Sequence, residues 1–531
     1  MLSLTKSHDA RKNEALLVQI TGKQLNIGEN LLETEQLFQN CLAKKPVPVP
    51  AANHKGAPFS LSKKIGEILF LPLSKPAFIS NPSNIHVDSN KNVYPDWKDT
   101  LDQEYSQLKK LITKEVNVVD FGAVGDGKTD CTKAFKKAIG TGRVKVIVPE
   151  GVFITKGLRL PSWTWLTGAG KGSTTIKLHY QADRSSRLIT NAHHWHGNHH
   201  IMIEGLRLDW NVERLGSESK TSTWGNHSSC LTFANVTYGW IKDIEAVNPG
   251  LHCIDITSTL YNYAGDGRRG RGGSKYVWVD NVNGYGFGDD GITTHHSDYI
   301  LISRSHLCDP SGRAHRKGYS NSNGIEIDDG SQNVVLVNNS TARCFGGVEI
   351  KAHQNSSAAS NVQIIGHISV NDNRSYNFRH IGHHKMEDPE SKTAFNIMAT
   401  NLVSIEPVFT DLYKDSKPRG LVISGYKNVV INHCTFIGNL DYDYRGGPVA
   451  AIQYRARNVV LTNISFKNFS TAGSGIKIFG GKNRADSIII QNVEVTCPTS
   501  SSFEPIMPGS DLKDQKIKNV KQIREPGLPK S

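Results

Sequence analysis

The sequence predicts an all-β solenoid, a chain of short strands wound into stacked coils, and three observations support this. A phrase recurs in which an Asn precedes a run of aliphatics, a turn, and a Gly opening another short strand. It stands at Asn333-Val334-Val335-Leu336-Val337, Asn361-Val362-Gln363-Ile364-Ile365, Asn428-Val429-Val430-Ile431 and Asn458-Val459-Val460-Leu461. The phrase is periodic: 28 residues separate Asn333 from Asn361, and 30 separate Asn428 from Asn458. The 67 residues between Asn361 and Asn428 leave room for two coils, or for one with a long insertion around Arg374 to Asp388. Strands this short cannot bury their apolar faces singly, so each must stack on a neighbour. Finally, Gly occupies 48 of 531 positions, as expected of a fold that turns a corner every few residues.

Residues 1–96 lack the repeat and carry the Pro-rich run Lys45-Pro46-Val47-Pro48-Val49-Pro50, which favours an extended connector. From 97 to 115 the apolar positions Trp97, Leu101, Tyr105, Leu108, Leu111 and Ile112 fall at helical spacing. A lone helix of that length is marginal in water, so it is expected to dock on the solenoid mouth or on copies of itself. A strand from Val116 and a Gly-rich turn then lead to a helix capped by Asp130 or Thr129, with Ala134, Phe135, Ala138 and Ile139 on its apolar face and Gly140 as its stop. Such a helix would cover the open apolar end of the first coil. The repeat region is expected over 116–510, with 511–531 as a C-terminal tail.

Composition excludes several classes. No run of about 18 apolar residues exists, so no membrane span is predicted. The N-terminus lacks the apolar stretch of a secretory signal. The eight cysteines show no metal-ligand spacing and read as buried free thiols. A formal charge of +13 calls for an acidic partner. Nucleic acid is one candidate, but no nucleic-acid-binding motif accompanies that charge, and charged glycopolymers satisfy the same electrostatics. The densest basic loop holds Arg268, Arg269 and Arg271, read either as a solvated loop or as an arm gripping polymer.

Two motifs resemble ligand sites without the spacing those sites need. Gly168-Ala169-Gly170-Lys171-Gly172-Ser173-Thr174 has the wrong spacing for a phosphate loop. His193, His194, His196, His199 and His200, around Trp195, show no zinc-ligand pattern and read as an exposed aromatic loop.

The segments Val118–Asp130, Val148–Phe153 and Leu166–Gly170 resemble the opening of pectate-lyase-superfamily proteins. Gly288-Asp289-Asp290-Gly291-Ile292-Thr293-Thr294-His295-His296, Gly324-Ile325-Glu326-Ile327-Asp328-Asp329-Gly330 and Gly347-Val348-Glu349-Ile350-Lys351-Ala352-His353 resemble the pre-neck appendage and tailspike proteins of Bacillus-type short-tailed phages. The resemblance covers roughly 116–500 and implies a right-handed parallel β-helix, pectin-lyase-like, in a trimeric virion spike that binds and cleaves an acidic host-surface glycopolymer. It also implies that residues 1–96 join other virion proteins.

Stacking the strands yields the candidate site. With Gly291, Gly324 and Gly347 aligned, Ile292, Ile325 and Val348 point inward, and period-two alternation sends Thr293, Glu326 and Glu349 into one outward column and His295, Asp328 and Lys351 into the next. Asp255 joins the first column from the strand Ile254–Thr257. Coils about 4.8 Å apart would couple Glu326 to Glu349. Carboxyls one coil apart suit a retaining glycosidase, and a pair two coils apart, such as Asp255 and Glu326, suits an inverting one. The catalytic candidates are therefore Asp289, Asp290, Glu326, Asp328, Asp329 and Glu349. The substrate-binding candidates are Asp255, His295, His296, Lys351, His353, Arg268 and Arg269.

The function expected is hydrolysis of an acidic cell-surface glycopolymer, wall teichoic acid or an acidic capsule, at a glycosidic or phosphodiester bond. No cofactor is required, although a carboxylate-rich cleft also suits calcium. The alternatives are a non-catalytic adhesin on the same face and a calcium-dependent lyase with an Arg base.

Overall fold

The computed structural model describes residues 2–22, 26–43, 81–218, 220–223, 225–261, 270–353, 356–380, 393–479, 485–499, 501–509, 512 and 514–525. These form a right-handed parallel β-helix. One parallel sheet of 12 strands runs from Leu158–Leu160 to Glu504–Met507. The rest of each coil is a longer strand bent at a corner, as in Gln332–Ala342, Ser360–Val370, Phe395–Ile405, Lys427–Ile437 and Arg457–Lys467. The bends fall at Asn338, Gly366, Asn401, His433 and Asn463, all with φ between 52° and 68°. Asn tolerates this left-handed backbone better than most side chains do.

The repeated Asn has the same cause. Asn333, Asn361, Asn396, Asn428 and Asn458 all have positive φ. Their side chains also bond from coil to coil: Asn396 Nδ2 donates to Asn361 Oδ1 at 2.9 Å, Asn428 to Asn396 at 2.9 Å and Asn458 to Asn428 at 2.8 Å. Asn396 thus divides the 67-residue step into two coils. Inside, apolar side chains, aliphatic and aromatic, form one continuous buried core from Val118 to Phe503. All eight cysteines are buried, and none is joined in a disulfide among the described residues.

The helix Thr132–Ile139 closes the N-terminal end and buries Ala134, Phe135, Ala138 and Ile139. The N-cap position is Cys131, which makes no side-chain cap bond, rather than the expected Asp130 or Thr129; Asp130 Oδ1, one residue earlier, accepts from the Thr132 N–H at 2.9 Å. The helix Lys98–Leu111 does not cover the mouth. It lies along the side of the solenoid, with Trp97, Leu101 and Leu108 packed on Met202, Trp240 and Leu301. Most of its apolar stripe is therefore used within its own chain, with Leu111 at its end left exposed.

Two further helices, Asn13–Thr21 and Ile27–Ala43, also line the solenoid flank. Leu17 packs with Ile368 and Val403, and Phe38 and Cys41 pack with Met398, Val430 and Val460. They meet the Asn ladders directly: Asn13 Nδ2 donates to Asn338 O at 2.9 Å and Asn458 Nδ2 to Cys41 O at 2.7 Å. The early part of the expected connector is thus docked structure, while the Pro-rich run lies outside the described residues. The expected C-terminal tail needs correction. Residues Gln515–Glu525 pair in parallel with Asp486–Pro498 and add another coil, because Ile517 and Val520 continue the strand pattern of the repeat.

Candidate active site

Four neighbouring strands of the long sheet build the site: Ile254–Thr257, Ile292–His295, Asn323–Asp328 and Gly346–Ala352. Register pairs Asp255 with Thr293, Thr293 with Glu326, and Glu326 with Glu349. His295 pairs with Asp328 in the adjacent column. Glycine is required where the strands begin. A Cβ on Gly291 would sit 2.5 Å from Gly324 O, and one on Gly324 would sit 2.3 Å from Thr341 Cγ2.

Outside this sheet lies a cleft of about 740 Å³ whose lining includes Asp289, Asp290, Glu326, Asp328, His295, Lys351 and His353. Three residues that strand alternation missed join them: His252, His315 and Asn323. His252 and His315 line the cleft. His252 sits at the corner before its strand and His315 in a loop, where period-two counting carries no information. Asn323 Nδ2 bridges two carboxyls, donating to Asp290 Oδ1 at 3.0 Å and Glu326 Oε1 at 2.8 Å.

Asp255 is fully buried between two imidazoles, with Oδ2 3.3 Å from His252 Nδ1 and Oδ1 3.6 Å from His295 Nδ1. Burial works to raise its pKa, but the two histidines overcome it and hold the carboxyl down at about 2. Each ring then presents Nε2 to another acid: His252 stands 3.6 Å from Asp289 Oδ2 and 3.5 Å from Asp290 Oδ2, and His295 stands 3.7 Å from Asp328 Oδ2. Both imidazoles are shifted upward, burial opposing and the carboxylates prevailing.

Asp289 and Asp290 differ sharply. Burial and the charges of Asp289 and Glu326 push Asp290 well above the carboxylate range. Asp289 is held well below it: burial opposes, but His252 and His315 prevail, the latter with Nε2 at 3.0 Å. Lys351 Nζ lies 2.6 Å from Glu326 Oε1 and 3.5 Å from Asp328 Oδ2. Burial acts to lower this ammonium, but the surrounding carboxylates raise it, so it stays charged. Asp329 faces His353 Nδ1 at 3.0 Å, and the charge of Asp328 together with the Asp329 bond lifts His353 to about 9.

Not every candidate faces the cleft. Glu349 is turned to Arg379 and to Asn377 Nδ2, which donates at 3.1 Å. Glu326 and Glu349, neighbours in register, thus each have their own cation, Lys351 for the first and Arg379 for the second. His296 is buried, with its ring 5.6 Å from Tyr261. Arg268 and Arg269 lie outside the described residues. The histidine-rich loop is divided. His200 is buried, stacked on Trp163 at 3.8 Å and paired with Glu104, whereas His194 lines the cleft.

Among the described residues, three groups have ligand atoms close enough for a metal ion: His252, Asp289 and Asp290; His295, Glu326 and Asp328; and Asp328, Asp329 and His353. The fixed ammonium of Lys351 beside Glu326 and Asp328 competes electrostatically with a dication at the second.

Residues 115–349 match the family of rhamnogalacturonase A/epimerase, pectate lyase-like proteins. The chain is 42% identical to the pre-neck appendage protein of Bacillus phage phi29 over 429 residues, 80% of this chain and 48% of that protein. It is 49% identical over 430 residues to YobO, named as a phage-related protein, of Bacillus subtilis strain 168, covering 81% of this chain and 53% of that one. The chain spans about half the length of these curated relatives. The crystal structure of the N-terminal fragment of phi29 gene product 12 superposes with a TM-score of 0.71 at 39% identity, over 80% of this chain and 69% of that one. On this shared fold and sequence, the chain belongs to the pectate-lyase-like pre-neck appendage proteins of Bacillus phages, a family of the virion.

Proposed function

We propose that the cleft hydrolyses an acidic host-surface glycopolymer, such as wall teichoic acid or an acidic capsule, by general acid–base attack. What supports the reading is that adjacent Asp290 and Asp289, both on the cleft wall, have their proton affinities driven in opposite directions, Asp290 up by burial and the neighbouring carboxylates and Asp289 down by His252 and His315. Environments that push neighbouring carboxyls apart assign the acid and the base. In place of the expected pair two coils apart, Asp290 donates its proton to the leaving oxygen as that oxygen's bond to the attacked centre breaks, and the ionised Asp289 takes a proton from the water whose oxygen bonds to that centre. Lys351, His295 and His353 face the anionic groups of the substrate. Glu326 and Asp328 hold Lys351 in place, and Asp255 orients His252 and His295. Asp329 fixes His353.

Chemistry of this kind needs no calcium, so a chelator is expected to leave turnover unchanged. The catalytic reading is tested by incubating the protein with purified teichoic acid and acidic polysaccharides and following chain length. Shortened products with saturated ends support it, and ends absorbing in the ultraviolet would make the cleavage eliminative. Binding without shortening would make the protein an adhesin. The proposed assembly is a trimer attached to the virion through residues 1–96, and light scattering at three times the monomer mass tests the trimer.

A further inference from the structure

Beside the acidic cleft, toward the N-terminal end of the same sheet face, lies a second groove of about 670 Å³. Its charged lining residues are Lys136, Lys156, Arg159 and Arg187, and no carboxylate lines it among the described residues. Arg187 and His227 line both grooves, so the two are continuous. Arg187 is fixed at the junction, with Nε donating to Asn226 O at 3.2 Å and Nη2 to Asn226 Oδ1. Lys136, Lys156 and Arg159 are exposed. Lys156 has a loose partner in Asp130 at 3.7 Å.

The strand register links this groove to the site of cleavage. One column reads Arg159, Thr190, Thr232, Asp255, Thr293 and Glu326 on successive coils. Along it charge passes from cation through neutral hydroxyls to carboxylates. Five strand spacings of about 4.8 Å put Arg159 roughly 24 Å from Glu326, a span that only a polymer covers. The carboxylates of the cleft are matched by Lys351 and by the raised histidines His252, His295 and His353, so the excess positive charge that draws in a polyanion lies in the second groove.

We propose that the Lys136–Arg159 groove is a holding subsite for the repeating anionic groups, phosphate or carboxylate, of a polymer whose far end enters the carboxylate cleft. This rests on the hydrolase reading for the identity of the cleft, but its test reads binding alone. The full chain carrying Asp290→Asn is titrated with fluorescent inorganic polyphosphate, polygalacturonate and, as the neutral control, dextran. Both polyanions are expected to bind and dextran not to, with affinity falling as salt rises. Whichever polyanion binds more tightly identifies the preferred anion.

In that background Arg159→Glu and Lys136→Glu should each weaken polyanion binding roughly fivefold, and both together more than tenfold. Arg159→Gln, which removes charge without adding any, should give a smaller loss in the same direction, and thermal unfolding checks that all variants are folded. Lys516→Glu with Lys518→Glu, exposed at the opposite end of the solenoid, should leave binding as it was. Unchanged binding in the folded Arg159 and Lys136 variants overturns the proposal, as does an equal loss in the Lys516 and Lys518 variant. Failure of the hydrolase reading shows separately, as absence of chain shortening by the parent protein.

Discussion

Asp289 and Asp290 are consecutive in the chain, yet their surroundings drive their proton affinities in opposite directions: Asp289 lies against His252 and His315, and Asp290 against Asp289 and Glu326. Asp290→Asn should therefore lower cleavage at least a hundredfold, the lower end for a lost general acid. A buried acid with a raised pKa costs stability above its unfolded pKa, so at neutral pH the Asn variant should melt no lower than the parent. Turnover close to the parent's would remove Asp290 from the mechanism.

Glu349→Gln should act through stability. The change strands the Arg379 guanidinium, whose side chain is 21% exposed, so the loss is expected at roughly 3 kcal/mol, the low end for breaking a buried pair. Denaturant unfolding measures it. The double change with Arg379→Gln should restore part of the loss, and no restoration would mean the pair is not the cause.

The pH dependence has two sides. His353, raised to about 9, contributes stability that is fully present below its unfolded pKa of about 6.5 and is lost as pH rises through 9. Asp255, lowered to about 2, contributes stability present above its unfolded value near 3.9 and lost as pH falls through 2. Melting temperature against pH should flatten on the alkaline side in His353→Gln. A parent curve that is level from pH 6.5 to 9 would contradict the assignment.

Phe38 is fully buried on the flank beside Met398 and Val430. Phe38→Ala should cost about 3 kcal/mol, as large-to-small changes in packed cores do. Removing the first 96 residues should likewise expose Leu17 and Phe38's apolar seats and lower the melting temperature. If such a fragment melts like the full chain, the flank helices are ornaments on a self-sufficient solenoid.

Asn428 combines a φ of 58° with two ladder bonds. Asn428→Ala loses both and keeps the backbone strain, so about 2 kcal/mol of destabilisation is expected. Asn428→Gly should lose less, because Gly accepts the backbone. Equal losses for the two would leave the strain argument without support.

The sequence alone determined the solenoid, its period, the closing helix and the register of the site strands. Those features depend on alternation within a strand and on Gly or Asn at fixed offsets, which are local properties. It was thus possible to read Ile292, Ile325 and Val348 as inward, and Glu326 beneath Thr293, from spacing alone. Only the tertiary structure decided that Lys351 serves Glu326 while Arg379 serves Glu349, because each partner comes from a different coil. It also decided that His252 and His315 enter the cleft from a corner and a loop, where alternation is broken. The helix Lys98–Leu111 shows the same limit. Its stripe declares that something must cover it, but the covering surface is built from Met202, Trp240 and Leu301, far away along the chain.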